Sequence, residues 1–328
     1  MKRIMTATLL ALAIAPVAVA QAPSGARQPQ QTTTPGTPSQ TPAQPTAPGA
    51  GHLPGTKAQP QATSQEEYNG YLAVVQAPDL TAAETAANDF ATKFPNSNLR
   101  GAVYHLLMMK YSQQDNVNKT IEMGRKAVQV DPDNPVVLGL LASTLSETAR
   151  EADLDFDEKA AEVVKLAEHA IQTTDTNITV PPTVTAEQLE VFRAKIKALA
   201  HGAMGKVLLQ KNDFAGAEKH LRQAIELSKA NPGDAANDHL RLSITLDKQR
   251  RYPEALEQAR LAMTLAPAGS PTANLAKQQH DRLAKLAPGG AGASTTTSTP
   301  AAGTPPATPP GATTPPPPPQ KPQGTTPR

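Results

Sequence analysis

Two stretches of the chain repeat the same order of apolar and polar positions at a fixed distance. Residues 212–227 read NDFAGAEKHLRQAIEL, residues 250–265 read RRYPEALEQARLAMTL, and the two align without a gap at an offset of 38. Their apolar and small positions recur three or four residues apart, which is the spacing of one face of an α-helix. We therefore predict that each stretch is an amphipathic helix and that both belong to one repeated unit.

Small residues occupy equivalent places in the two helices. Ala217 aligns with Ala255 and Ala224 with Ala262, so each helix carries two alanines on one face, two turns apart. A methyl group lets two helices approach closely, whereas a larger side chain would hold them apart. We predict that these alanines pack helix against helix, together with three residues of the same pattern: Ala127, Leu221 and Tyr252.

Prolines and turn residues divide the chain into helical hairpins. Pro253 opens the last of the paired helices, predicted at 253–265, and Ala266-Pro267 ends it, because proline is tolerated in a first turn but cannot continue a helix. Reading backwards, we predict about five hairpins between residues 64 and 268, an inserted loop at 174–185 and a capping helix at 270–286. One hairpin cannot bury its apolar faces alone, so successive hairpins must stack.

This arrangement resembles the tetratricopeptide repeat, a unit of about 34 residues with an aromatic residue before the second helix, small residues on it and a proline after it. Phe214 and Tyr252 supply the aromatic residue, and the exit Asp131-Pro132-Asp133-Asn134-Pro135 is the most family-like linker in the chain. The resemblance covers roughly two thirds of the sequence. It implies an all-α fold, a tetratricopeptide-repeat α-solenoid of about five hairpins plus a capping helix.

The resemblance also implies a binding surface. In this family the first helix of each hairpin lines a concave face that holds a peptide or a helix of another protein. Chaperone-binding relatives grip a carboxylate there with a clamp of Lys, Asn and Arg. The matching positions here are His105, Met109, Leu140, Leu199 and Ala203, so that ligand is not carried over. Projecting the register predicts these partner-binding residues: His105, Met109, Ser143, Lys206, Asn237 and Arg241.

The first 20 residues predict export. Lys2 and Arg3 precede a short apolar run that ends in Ala18-Val19-Ala20, which is typical of a cleaved secretory signal. The run is shorter than the ~20 residues of a membrane-spanning helix. The chain contains no cysteine, so it has no site for a cysteine-linked lipid and no disulfide. We expect a periplasmic or secreted protein of bacterial type without stable membrane insertion.

Two segments are rich in proline. Residues 21–63 and 288–328 hold 22 of the 33 prolines and neither contains Asp or Glu. Such segments bury too little apolar surface to offset the entropy of ordering, so we predict that both are disordered and that the folded part spans 64–287. The run PPPPP at 315–319 is typical either of a stiff spacer or of a ligand for an aromatic groove.

Charge and motifs exclude several function classes. The region 64–287 carries 25 basic and 29 acidic residues, a net charge of −4, and the whole chain has five Phe, five Tyr and no Trp. Nucleic-acid binding would need a basic face and stacking aromatics. HExxH, GxSxG, glycine-rich phosphate loops and CxxC do not occur in the sequence. We therefore predict no enzyme activity and no cofactor.

Two patterns resemble metal sites without completing one. Asp153, Asp155 and Asp157 alternate like the first ligands of a calcium loop, but Glu158 and Val164 stand where that loop needs Gly and Glu. Residues 151–162 are then a solvated turn whose carboxylates favour the start of the next helix. His201 and His239 occupy equivalent places in adjacent hairpins, which favours packing by repeat register over metal binding.

The leading hypothesis is a protein–protein interaction scaffold that binds a partner on the concave face. The alternative is a structural spacer of the cell envelope, in which the proline-rich arms carry the interaction. An enzyme is the remote third possibility, since a fold alone does not exclude a grafted site. The pattern leaves the partner and the oligomeric state open.

Overall fold

The computed structural model describes residues 53–286, and the regular secondary structure of this range consists of α-helices, a 3₁₀ turn at Pro232–Ala235 and two short strands, joined by turns and loops. The all-α prediction is thus confirmed. The strands are β1 (Thr56–Lys57) and β2 (Ile178–Thr179). The eleven helices are α1 (Gln65–Val75), α2 (Leu80–Lys93), α3 (Leu99–Gln113), α4 (Val117–Val130), α5 (Pro135–Thr148), α6 (Phe156–Thr174), α7 (Ala186–Gln210), α8 (Phe214–Leu227), α9 (Ala236–Lys248), α10 (Tyr252–Leu265) and α11 (Pro271–Leu283).

Local sequence explains where the helices begin and turn. Ser64, Asp79 and Asn134 accept hydrogen bonds from backbone N–H groups of the first turns of α1, α2 and α5, which have no partner inside the helix. The tight turns into α8 and α10 place Asn212 and Arg250 in the left-handed region, at φ 60° and 62°. These two residues lie at the same offset of 38 as the helices they join.

The helices pack as five successive pairs, α1–α2, α3–α4, α5–α6, α7–α8 and α9–α10, followed by α11. Each pair also packs on the next, through α2 on α3, α4 on α5, α6 on α7 and α8 on α9. The leading members of the pairs, here called first helices, touch one another directly, α1 with α3, α5 with α7 and α7 with α9. This stacking is consistent with an α-solenoid.

Small side chains occupy the contacts between paired helices. Ala217, Leu221, Ala224, Ala255 and Ala262 are fully buried, Ala127 is 1% exposed, and Tyr252 is partly buried against the cluster around Leu221. A Cβ at Gly205 of α7 would lie 2.6 Å from Cγ of Leu221, so only glycine fits opposite that leucine. In the next pair, Ser243 takes the place of Gly205 and Ala259 takes the place of Leu221. The larger residue on one helix thus faces a smaller residue on the other.

The described chain begins before the first helix. Residues 53–63 belong to the segment for which the sequence predicts disorder, yet β1 pairs in parallel with β2, which lies in the inserted loop between α6 and α7. The register joins Thr56 to Ile178 and Lys57 to Thr179. We call residues 53–57 the strap. The order of the strap arises from its contacts with α5, α7 and β2. The predicted signal segment, residues 21–52 and the tail 288–328 lie outside the described residues.

Candidate functional site: the first-helix surface

The first helices α3, α5, α7 and α9 together form one face, here called the first-helix surface. Glu147 near the end of α5 reaches Arg241 of α9, with Oε1 2.6 Å from Nη2, although α7 lies between the two helices in the stack. The side chains of α5 and α9 therefore meet across α7 at this point of the first-helix surface.

A cluster of charged residues fills this part of the surface. The Glu147 carboxylate also accepts Lys206 of α7, with Nζ at 2.7 Å, so two cations share it. Arg241 donates a further hydrogen bond through Nη1 to Asp238 Oδ1 at 3.1 Å. We call Glu147, Lys206, Asp238 and Arg241 the polar cluster. It ties three successive first helices together through charge.

The two carboxylates of the polar cluster titrate differently. Burial alone would raise the pKa of Glu147, but the charges of Arg241 and Lys206 outweigh it and hold the pKa below its usual range. Asp238 is 8% exposed, and burial raises its pKa to about 6, although Arg241 acts in the opposite direction. Asp238 is therefore the carboxylate of this surface that titrates nearest to neutral pH among those whose shift is resolved in the described chain.

Sequence reasoning selected Lys206 and Arg241 for this surface but missed the residue that joins them. Glu147 is the single ionisable residue in PVVLGLLASTLSET, the sequence of α5. An isolated charge in an apolar helix is a signal that it has a specific partner. The partners themselves lie far along the chain, so no local pattern identifies them. Both cations are engaged with Glu147, so a ligand would have to compete for them.

The other end of the surface is apolar and holds the strap. Leu53 packs against a buried cluster from the first halves of α5 and α7 and from β2. We call this cluster the strap site. Its core residues are between 0% and 8% exposed, and Leu140, Val180 and Val184 pack around them. The core consists of Val136, Ile178, Leu189, Phe192 and Ile196.

The strap is a β-turn at residues 53–56 that leads into β1, and polar contacts hold it in place. Arg193 Nη2 of α7 donates to the carbonyl oxygen of Pro54 at 2.7 Å, and Lys57 Nζ lies 3.2 Å from Asp131 Oδ1. Gly55 has φ +73°, a conformation that favours glycine. A Cβ at Gly55 would also overlap the carbonyl oxygen of Asp175, at the end of α6. One apolar side chain, one required glycine and two polar contacts thus hold the strap in place.

The other four predicted partner-binding residues are spread over α3, α5 and α9. His105 is half-buried, and its Nε2 has no hydrogen-bond partner. Burial of the ring lowers the pKa of His105 to about 4. Met109 and Ser143 are half-buried on α3 and α5. Asn237 is exposed, and its Oδ1 accepts a hydrogen bond of 2.6 Å from Thr272 of α11. The structure therefore unites only Lys206 and Arg241 of the six.

The two patterns that resemble metal sites have other partners. Asp153 and Asp155 both pair with Lys159, at 3.4 and 2.8 Å, and Asp157 pairs with Lys211 at 2.8 Å. Over residues 53–286, no group of three or more His, Asp or Glu side chains is placed to hold a metal ion.

The two equivalent histidines bond within their own hairpins. His201 Nδ1 lies 2.9 Å from Nδ1 of His220, and His239 Nδ1 lies 2.7 Å from Oε1 of Gln258. His220 and Gln258 are themselves separated by the repeat offset of 38. The same contact between paired helices is therefore made twice, with a second histidine as the partner in one hairpin and a glutamine in the other.

Comparisons with known proteins add little to this picture. No family model matches the sequence, and no curated protein is similar to it. Among solved structures, the crystal structure of MamA protein aligns with 57% of this chain and 87% of its own length, at 17% identity and a TM-score of 0.32. That superposition is too loose to bear on function. In the described part of the chain, no helix has the length and apolar character that crossing a membrane requires.

Proposed function

We propose that this chain is an exported scaffold of the tetratricopeptide-repeat type that binds a segment of another protein on its first-helix surface. The observation that carries the proposal is the strap. A β-turn at residues 53–56, anchored by Leu53, and the short strand β1 that follows it already lie against two first helices and β2. A surface that accepts one such segment has the shape and the hydrogen-bonding groups to accept another.

Three further features support this function. The polar cluster offers two cations and two carboxylates at one end of the first-helix surface, and the strap site offers apolar side chains at the other, which is the mixture that peptide recognition uses. The repeat pattern resembles a family of protein-binding scaffolds. The pattern of residues 1–20 supports export to the periplasm or beyond, where a disulfide-free helical stack must rely on its own core.

Site-specific photo-crosslinking tests the proposal. A photoreactive amino acid replaces Met109 or Ser143 on the first-helix surface, and Lys165, an exposed residue of the second helix α6, serves as the matched control. With cell-envelope extract of the source organism, we expect adducts of one defined mass at positions 109 and 143 and none at 165. Equal labelling at all three positions would contradict a specific surface.

A version lacking residues 288–328 separates this function from the spacer alternative. If the first-helix surface binds the partner, the adducts at 109 and 143 persist without the tail. If a proline-rich arm binds it, partner capture is lost with the arm, and positions 109 and 143 are silent in the full-length chain. That second pattern would replace the proposed function with an arm-borne interaction.

A further inference from the structure

We infer that the strap is a displaceable internal ligand, and that the strap site binds from a partner a β-turn segment with a large aliphatic residue at its first position and, two positions later, a glycine followed by a β-branched residue. Leu53, Gly55 and Thr56 provide that pattern within the chain. This inference rests on the proposed function, and it specifies both the partner segment and what blocks it.

The strap is held by few contacts, which makes displacement feasible. The ladder with β2 is only two residues long on each strand. The ion pair to Asp131 is solvent-exposed, with side-chain exposures of 39% for Lys57 and 35% for Asp131, so solvent screens it and it adds little to the stability of the bound strap. Leu53 is itself only partly buried in its cluster. A competing segment needs to replace one anchoring side chain and a few hydrogen bonds.

The backbone under Gly55 gives the site its sequence preference. Arg193 Nη2 and the carbonyl oxygen of Asp175 lie so close to Cα of Gly55 that any side chain there would collide with them. The positive φ of +73° adds a second reason for glycine. A partner segment following the same path therefore needs glycine at this point, whereas the position of Pro54 contributes only its carbonyl oxygen, which Arg193 binds.

An open cleft beside the strap offers a point of entry. It has a volume of about 300 Å³ and lies between the strap and the inserted loop. Thr56, Lys57 and Gln59 line one side, and Val180, Pro182 and Val184 line the other. β1 and β2 form a sheet of two strands, so each keeps an outer edge unpaired within the described residues. An incoming extended chain can pair with this edge before the strap leaves.

Binding of the chain's own segment in trans tests the inference. The probe is a fluorescent peptide of residues 49–60, GAGHLPGTKAQP, and fluorescence anisotropy measures its affinity for the full-length chain. In the parent, the tethered strap competes at a high effective concentration, so binding is weak. Gly55→Val unseats the strap and leaves the site intact, so we expect its affinity for the peptide to rise about tenfold or more.

Two matched controls define specificity. Gly233→Val places the same substitution where an added Cβ meets nothing closer than 4.0 Å, so this variant should bind the peptide like the parent. A peptide with valine in place of Gly55 should fail to bind the Gly55→Val protein. The inference is overturned if Gly55→Val retains the parental helical circular dichroism and gains no affinity, or if the valine peptide binds equally well.

A second version decides the case in which Gly55→Val does not fold. A protease site inserted between Gln61 and Ala62 is cut after the protein has folded, which leaves the strap bound without a covalent link. Exchange of the cut strap for the labelled peptide supports the inference, whereas a strap that never exchanges, or a stack that unfolds on losing it, overturns the inference. Failure here leaves crosslinking at Met109 and Ser143 unaffected, so the proposed function is judged separately.

Discussion

The two ends of the first-helix surface are built from opposite chemistry. At the strap site, Phe192 and Ile196 of α7 pack against Val136 of α5 in a buried apolar cluster, and the turn of the strap packs on it. At the polar cluster, the same two helices are joined by Lys206 and Glu147, and Arg241 adds α9. One pair of helices is thus held by burial at one end and by charge at the other.

The two ends therefore differ in how strongly their stability depends on pH and salt. Burial of apolar surface is insensitive to pH and strengthens in stabilising salts, whereas ion pairs weaken when salt screens them or when a carboxylate takes up a proton. The apolar end accordingly offers a shape-selective site for a turn-forming segment. The polar end responds to pH and salt, because Asp238 and Glu147 hold pKa values shifted in opposite directions.

The largest effect is expected at the apolar end. Phe192 is 7% exposed, and Phe192→Ala removes a ring from the centre of the strap site. We expect it to lower the free energy of unfolding by about 3 kcal/mol or more. Its neighbour Val191 is 39% exposed, so Val191→Ala should cost less than ~0.5 kcal/mol. Urea denaturation of both variants measures the contrast, and similar losses would place Phe192 outside the core.

At the polar end, Asp238 should make stability depend on pH. Its pKa is raised from 3.8 to about 6, so between these values the unfolded chain has lost a proton that the folded chain keeps. Stability from this group is therefore greatest below pH 4 and falls as the pH rises to 6, by on the order of 2 to 3 kcal/mol. Asp238→Asn removes this dependence. A stability difference between parent and variant that stays constant from pH 4 to 6 would contradict the assignment.

Removing the shared carboxylate should have a smaller effect. About a third of the Glu147 side chain is exposed (35%), so solvent screens its pairs with Lys206 and Arg241. We expect Glu147→Ala to lower the free energy of unfolding by about 1 to 2 kcal/mol and the loss to shrink in molar salt. A double-mutant cycle with Arg241→Ala isolates the coupling of that pair. Zero coupling would mean that the two helices meet without this interaction.

The smallest effect is expected from the exposed ion pair of the strap. Lys57→Ala should change the free energy of unfolding by less than ~1 kcal/mol and leave the strap in place, because Leu53 and the ladder remain. Limited proteolysis between residues 53 and 63 reports whether the strap stays seated. Cleavage as rapid as in Phe192→Ala would show that charge rather than burial holds it.

The helices could be predicted from the sequence because their signals are local. Paired alanines such as Ala255 and Ala262 mark a close-packed face within one helix, and Pro253 and Pro267 mark its ends. The predicted insertion at 174–185 lies between the end of α6 at Thr174 and the start of α7 at Ala186. Each of these features depends on neighbours within a few residues, so one sequence is enough to read them.

The candidate site depends on contacts between distant positions, and these could not be predicted. Glu147 meets Lys206 and Arg241, which are 59 and 94 residues away along the chain. Residues 53–57 share the composition of a proline-rich arm. Their ordered structure arises only because Leu53 packs against the strap site and Gly55 lies against the carbonyl oxygen of Asp175. One signal was present. Leu53 is the single large aliphatic residue between positions 21 and 63.

Disulfide trapping tests most directly whether the first-helix surface holds a displaceable strap. The parent has no cysteine, and Lys57 and Thr179 are register partners across the ladder, so Lys57→Cys with Thr179→Cys introduces one pair at bonding distance. Lys57→Cys with Thr183→Cys is the off-register control. We predict rapid oxidation of the 57–179 pair, slow oxidation of the control, and slower trapping of 57–179 when excess peptide 49–60 displaces the strap. A 57–179 disulfide that fails to form, or that forms at the same rate with the peptide present, would contradict the account.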